Sequence, residues 1–330
     1  MPNEVELKLR ISPADEHKIA NHPAIQSRLV RETPKRALIS IYYDTPDLKL
    51  LDTRLSLRVR SMSGGWFQAI KSAGHSIGGL HQRMEWEDLL TRNEPDFNKV
   101  IDPHLANIFA SESLRNDLKP IFVVDVMRTD WHLQYEDGTE IEVSLDLGEI
   151  KVCEPRVWER IEPLNELEIE LKHGNTLHLF ELALALQQEV PFIIENQSKA
   201  DRGYACIRQQ PTIKTHSQAN KLPVKNQTPR QLMADCLMQI QANQEILQKV
   251  NHTASVSQMR FAVYRLVGVL DARIENSPSS RHALLDELDW LDTYLVTPCD
   301  AAHYQKLQDA FNDQRYQRLL LNIGALLYSE

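Results

Sequence analysis

At 330 residues, 42% hydrophobic and 25% charged, the chain has enough apolar content for a packed core and enough length for two domains or one domain with an appendage. A formal net charge of -9 argues against a protein organised around a nucleic-acid backbone, because no overall positive field would gather phosphates. No run approaches the roughly 18 apolar residues needed to span a bilayer, and Cys153, Cys206, Cys236 and Cys299 stand far apart without a CxxC pair, suggesting neither a zinc site nor a disulfide framework but reduced, buried thiols.

The first element is Glu4-Val5-Glu6-Leu7-Lys8-Leu9, in which ionisable residues fall at every second position. In a strand this spacing puts the charges on one face and the apolar residues on the other. Because the pattern begins at residue 4, no signal peptide is expected and the cytoplasm is the expected compartment. A short helical insert is predicted around 13–21, followed by Arg58 and Arg60 in Leu57-Arg58-Val59-Arg60. Turn signals at Gly64-Gly65 and Gly78-Gly79 precede Arg83-Met84-Glu85-Trp86-Glu87. A second helical insert is predicted around 104–114, and Arg128, Asp130 and His132 follow a Val-rich run. Asp137-Gly138 reads as a hairpin joining that strand to Glu140-Ile141-Glu142-Val143-Ser144-Leu145-Asp146, since Gly supplies the positive φ of a primed turn. Glu168, Glu170 and Lys172 close the series, so residues 3 to about 172 read as antiparallel β-structure.

The period then changes. Leu177, Phe180, Leu184 and Leu186 fit a helix, and Ser198 with Asp201 fits the capping box of another, with Lys199 and Arg202 near its start. The polar stretch at 211–228 reads as a linker between domains 1–210 and 229–330. Beyond it, Met233, Leu237, Ile240 and Leu247, then Leu284, Leu288, Leu291 and Leu295, predict a bundle of four or five helices broken at Asn276-Ser277-Pro278 and Thr297-Pro298.

Any one alternating strand is ordinarily explained by an antiparallel sheet with one wet face. The repetition, and the grouping of carboxylates in some strands and basic groups in others, points instead to a closed sheet with its charges inward. Such a barrel carries Glu4, Glu6, Glu168 and Glu170 on one side and Arg58, Arg60, Lys71, Arg83 and Arg128 on another, a polar tunnel suited to holding cations against a polyanion. Its outward face, with Val5, Leu7, Leu57, Val59, Ile169 and Leu171, needs a cover of helices.

The ExExK opening, Tyr42-Tyr43-Asp44-Thr45-Pro46, the LRxR strand, Lys71, the RxExE strand, the late ExE strand and Ser198-Lys199-Ala200-Asp201-Arg202-Gly203-Tyr204 together resemble the CYTH domain of triphosphate tunnel metalloenzymes. The resemblance spans residues 1 to about 208, in the family's order. It implies an α+β protein with an eight-stranded antiparallel β-barrel tunnel, flanking helices and an all-α bundle behind it. By the same resemblance, Glu4, Glu6, Asp146, Glu168 and Glu170 would hold Mg²⁺ or Mn²⁺, an assignment that suits hard oxygen ligands. Lys8, Arg58, Arg60, Lys71, Arg83, Arg128, Lys199 and Arg202 would cradle the phosphates, there being no GxxxxGK[ST] loop to offer backbone amides. Glu170 is the expected activator of water, with Glu6 and Lys8 beside it, while Glu85 and Glu87 would position the basic residues.

Residues 229–330 resemble part of a CHAD domain through Gln258-Met259-Arg260, Arg265-Leu266 and Glu287-Leu288-Asp289-Trp290-Leu291. Ser257, Tyr264 and Pro298-Cys299-Asp300 depart from that pattern, and the length is short for the whole module. A scaffold or homo-oligomer contact is therefore expected, with Arg260 and Arg265 in ion pairs or solvent, and a chain ending near residue 212 is expected to keep turnover. The expected activity is hydrolysis of inorganic triphosphate, with polyphosphate as a further ligand and neither nucleic acid nor membrane as partner. Thiamine or nucleoside triphosphatase, class IV adenylyl cyclase and a non-catalytic polyphosphate sensor are the alternatives.

Overall fold

The computed structural model describes residues 3–62, 64–72, 74–152, 161–208, 227–272, 278–296 and 300–329. The alternating segments form strands β1 Asn3–Ile11, β2 Leu29–Asp44, β3 Leu55–Met62, β4 Gly65–Ser72, β5 His75–Ile77, β6 Leu80–Leu90, β7 Lys119–Gln134, β8 Glu140–Val152, β9 Ile161–His173 and β10 Phe192–Ile194. Eight of them, in the order β1-β9-β8-β7-β2-β3-β4-β6, close into an antiparallel barrel because β6 also pairs with β1. The short β10 and β5 extend the sheet beside β1 and β6. The predicted hairpin joins β7 to β8, with Gly138 at φ +84°, but its turn is wider than a two-residue primed one: residues 135–139 make it, closed by the Tyr135 amide donating to the Thr139 carbonyl at 2.9 Å.

Helices α1 Glu16–Ala20, α2 Pro23–Gln26, α3 Lys49–Asp52, α4 Pro103–Phe109, α5 Glu112–Asp117, α6 Leu177–Leu186 and α7 Lys199–Arg208 flank the barrel, and α8 Pro229–Leu247, α9 Thr253–Asp271, α10 Pro278–Asp292, α11 Ala301–Asn312 and α12 Gln314–Tyr328 follow. None of the described helices is long and apolar enough to cross a membrane. The interval expected as a linker lies outside the described residues up to residue 226, as do the breaks at 276–277 and 297–298 and the thiols of Cys153 and Cys299. Cys206 and Cys236 are buried and form no disulfide.

Outward apolar side chains are covered on two sides. Leu57, Val59 and Ile70 pack with Leu50, Leu105, Phe109 and Leu114 of α3, α4 and α5. Leu7, Leu9, Leu145 and Ile169 join Phe180 and Leu186 of α6, and that cluster runs without a break into Met233, Leu237, Leu320, Ile323 and Leu327. The C-terminal helices therefore share one core with the barrel wall. At Gly324 of α12 a Cβ would meet the Phe180 ring at 2.3 Å, so only glycine allows this approach. Two α12 glutamines replace a strand partner for β10: Gln317 accepts from the Ile194 amide at 2.8 Å, and Gln314 exchanges bonds with Phe192 at 2.9 and 3.2 Å.

The polar inward face does not run the whole length of the barrel. Leu38, Phe122, Val124, Val126, Ile150 and Leu164 point inward at one end and pack on Ala200 and Tyr204 of α7. This helix stops that end, and its Gly203 lies so close to Phe122 that a Cβ would meet the ring at 2.3 Å. The Tyr42-Tyr43-Asp44-Thr45-Pro46 motif secures it: buried Asp44 accepts from the Leu50 amide at 2.8 Å, the Leu51 amide at 3.1 Å and the Tyr204 hydroxyl at 2.8 Å. Ser198 and Asp201 form the expected reciprocal cap, with the Asp201 amide donating to Ser198 Oγ at 3.1 Å and the Ser198 amide donating to Asp201 Oδ2 at 3.0 Å.

Because the core is shared, removing α8 to α12 by ending the chain at Arg208 uncovers Phe180 and Ile194, each side chain worth up to about 1.5–3 kcal/mol of burial. The expected outcome is aggregation or loss of a cooperative thermal transition. A soluble truncated chain with an unchanged melting temperature would contradict the shared core.

Candidate active site

β1 projects Glu4, Glu6 and Lys8 into the barrel, and its two neighbours decide their partners. Against β9, Glu6 stands opposite Glu170 and Lys8 opposite Glu168. Against β6, Glu4 stands opposite Arg83. Arg83 consequently donates to Glu4 at 2.5 Å and to Glu6 at 3.0 Å, while Lys71 of β4 donates to Glu4 at 2.8 Å and also pairs with Glu85 at 2.9 Å. Lys8 bonds Glu168 and sits 2.7 Å from Glu6.

Across the barrel, Arg128 clamps Asp146 with two bonds of 2.6 and 2.5 Å and reaches Glu168 at 2.8 Å. Lys199, carried in by the first turn of α7, bonds Glu166 and Glu168 and lies 3.1 Å from Asp146. Acid and base are thus interleaved around the wall instead of standing on opposite sides, because the register places most carboxylates beside a cation.

Two guanidinium groups are less committed. Arg60 donates from Nε to Ser40 Oγ at 3.0 Å and has no carboxylate partner among the described residues. Arg58 reaches Glu85 at 3.3 Å, but its Nε is buried without a hydrogen-bond partner among the described residues. Both line a cavity of about 510 Å³ with Glu4, Lys8, Lys71, Arg83, Arg128, Glu168, Glu170 and Lys199. Three residues expected at the site do not line it. Glu6 and Asp146 lie beneath its surface, 2% and 0% exposed. Arg202 donates to Glu162 and the Pro163 carbonyl, both at 2.7 Å, since its place on α7 turns it toward the start of β9.

Other residues at the site went unread in the sequence. Glu166 is 0% exposed, holds Lys199 and leaves Oε2 unbonded among the described residues. Its parity with Glu168 and Glu170 was the available signal. Arg36 pairs with Asp130 at 2.5 Å and lines the cavity, but no regular alternation precedes it in β2.

The field inside the barrel is strong. Burial raises the Glu168 and Glu4 carboxyls, yet the opposing charges outweigh it: Lys199, Lys8 and Arg128 hold Glu168 well below the usual range, and Lys71, Arg83 and Lys8 do the same for Glu4. Asp146 is held at about 2 against its own burial by Arg128 and Lys199. Arg60, buried and facing Arg58 and Arg128, is pulled down to about 10. Glu170 runs the other way: burial, with the like charges of Glu4 and Glu6, raises it to about 7 although Lys172 sits 2.8 Å away.

No three His, Cys, Asp or Glu side chains form a ready-made metal site among the described residues. The donor chemistry nevertheless fits a hard divalent ion. Glu4, Glu6 and Glu170 offer only carboxylate oxygens, and the charge of the first two helps to keep Glu170 protonated, a repulsion that a cation would relieve.

Residues 2–204 match the CYTH domain family. The chain belongs to that family. An inorganic triphosphatase of Haemophilus influenzae is 33% identical over 205 residues, which is 62% of this chain and 55% of that protein, so the CYTH chain spans about half the length of the curated relative it matches. Among solved structures, a Hippeastrum protein described as an adenylyl cyclase candidate with a dominant triphosphatase activity overlaps with a TM-score of 0.43 at 14% identity, covering 61% of this chain and 95% of its own. A protein of Pyrococcus horikoshii overlaps with a TM-score of 0.36 at 19% identity, covering 63% and 99%. Overlaps this partial carry no argument, and the closed barrel of the CYTH chain rests on its own strand register.

The Glu170 shift has a measurable consequence. The folded chain holds this proton more tightly than the unfolded chain, so Glu170 makes stability fall as pH rises from about 4.5 to about 7. Glu170→Gln is expected to remove that part of the slope in metal-free denaturant titrations. An identical pH profile in wild type and variant would contradict the charge arrangement.

Proposed function

We propose that the chain hydrolyses inorganic triphosphate to diphosphate and phosphate inside the barrel, with Mg²⁺ or Mn²⁺. The observation that carries this reading is the pairing, in one cavity inside the barrel, of underused guanidinium groups on Arg58 and Arg60 with a wall of carboxylates on Glu4, Glu168 and Glu170. Guanidinium forks match phosphate oxygens, whereas an anion binder gains nothing from acids facing its ligand without a cation between. The likeness to a protein named inorganic triphosphatase supports the same substrate.

A divalent ion held by Glu4, Glu168 and Glu170 at the cavity wall, with the Glu6 charge directly beneath them, would supply positive charge against the phosphate oxygens. The chain's own residues supply the rest. Arg58 and Arg60 bind and orient the phosphate chain without first giving up a strong ion pair. Lys8, Lys71, Arg83, Arg128 and Lys199 exchange part of their carboxylate bonding for phosphate oxygens and so spread charge toward the leaving diphosphate. Glu170, ionised when a cation relieves the repulsion of Glu4 and Glu6, accepts the proton from the water whose oxygen attacks the terminal phosphorus as the bridging P–O bond breaks. Asp146 is saturated by Arg128 and Lys199 and serves in this scheme to hold those cations in place.

Phosphate release from tripolyphosphate, ATP and thiamine triphosphate, with Mg²⁺, Mn²⁺ or chelator, tests the proposal. Metal-dependent turnover is expected to be highest with tripolyphosphate, and silence on all three substrates would end it. Glu170→Gln should lower kcat by about 100-fold or more while the protein stays folded. Arg60→Ala, which deletes a charged donor worth ~1.5–3 kcal/mol, should raise KM for tripolyphosphate by about tenfold or more.

A further inference from the structure

One side chain of α8 bonds two separate segments of the barrel. Gln241 is 4% exposed; its Oε1 accepts from the Gly78 amide at 2.9 Å, and its Nε2 donates to Asn196 Oδ1 at 2.7 Å. Gly78 lies in the turn between β5 and β6, and Asn196 in the loop between β10 and α7. That turn has no slack. Gly78 and Gly79 take φ values of +63° and +81°, and a Cβ on Gly79 would meet Ile194 at 2.3 Å.

Each segment leads to a cation in the tunnel. The turn starts β6, which carries Arg83 to Glu4 and Glu6. The loop runs into Ser198 and the first residue of α7, Lys199, which bonds Glu166 and Glu168. Additional bonds knit turn and loop together under Gln241: Ser76 Oγ donates to Asn196 Oδ1 at 3.3 Å, and the His81 ring lies 2.9 Å from the Glu195 carbonyl oxygen. A chamber of about 630 Å³, bordered by Gln241, Met238 and Ala242 on one side and by Lys71 and Arg83 on the other, brings this face of α8 to the edge of the site.

We propose that Gln241 is a positioning residue through which the C-terminal helices set Arg83 and Lys199 for phosphate binding. It touches no substrate; it fixes the origins of the two segments that present these cations. The proposal deepens the triphosphatase reading and rests on it for its kinetic readout, but the tie itself can be read without turnover.

The test compares Gln241→Ala, Gln241→Leu, Asn196→Ala, Asn196→Asp and Ser76→Ala with wild type and with Tyr264→Ala on the outer face of α9. The measurements are kcat and KM for tripolyphosphate, tripolyphosphate affinity by calorimetry, and hydrogen exchange at the Gly78 amide. Both Gln241 variants should speed Gly78 exchange by about tenfold and raise KM by about fivefold with kcat within about twofold, the pattern of lost binding geometry instead of lost chemistry. Asn196→Ala, which cuts the Nε2 arm of Gln241 and the Ser76 bond but leaves the Gly78 arm, should share the KM effect, and it keeps the test alive if the Gln241 variants do not fold. Ser76→Ala, which removes the Ser76 bond alone, should match wild type. Asn196→Asp, which keeps the accepting oxygen, and Tyr264→Ala should match wild type. A folded Gln241→Ala protein with wild-type KM and Gly78 exchange would overturn the proposal, as would a folded Asn196→Ala protein with wild-type KM. If wild type binds tripolyphosphate without hydrolysing it, the triphosphatase reading fails alone, and calorimetry decides the tie: weaker binding by the variants upholds it, equal binding overturns it. Failure of wild type to bind tripolyphosphate overturns both.

Discussion

Closing a sheet around inward charges creates a problem of neutralisation that governs the rest of the molecule. At an effective dielectric of about 20, two like charges 4 Å apart repel by roughly 4 kcal/mol. The barrel answers through register: Arg83 faces Glu4, Lys8 faces Glu168 and Arg128 faces Asp146 across adjacent strands. Burial opposes every one of these charges, and the facing partner outweighs it: Glu4, Asp146 and Glu168 are held low, and Lys8, Arg83 and Arg128 are held high.

The proposed triphosphate and divalent ion would fit this arrangement as an exchange of partners. The anion would take the place of carboxylates around the basic groups and the cation that of basic groups around the carboxylates, which would keep the charges paired. Arg60, lowered to about 10 by burial and like charges, and Arg58, with one unbonded donor, are the places where the unliganded network is least satisfied. Ligand capture can begin there without first breaking a strong pair.

One end of the barrel is stopped and the charged cavity occupies the rest. The inward face changes from charged to apolar between Arg128 and Val126 on a single strand, where α7 enters and its Tyr204 meets Asp44. The same helix delivers Lys199 to the carboxylates. The outer wall beneath α6 is in turn shared with α8 and α12, so the C-terminal helices belong to the mechanical support of the barrel. Arg260, expected in an ion pair or in solvent, is fixed on Asp292 by bonds of 2.7 and 2.9 Å.

The alternation of charge at every second residue determined which side chains face inward, because strand geometry allows only two faces. It made Glu4, Glu6, Lys8, Arg58, Arg60, Arg83, Glu168 and Glu170 legible as one set, and the Asp137-Gly138 and Ser198-Asp201 signals located a hairpin and a helix start from local backbone chemistry. Strand pairing and helix docking decided everything that depends on neighbours distant in the chain: that acids and bases interleave, that Asp146 and Glu6 lie beneath the cavity surface, that Arg202 turns away to Glu162, and that Glu166 belongs to the cluster. Parity is a local property fixed by the backbone of one strand, whereas an ion pair needs two segments brought together, and only the closed barrel sets which residues those are.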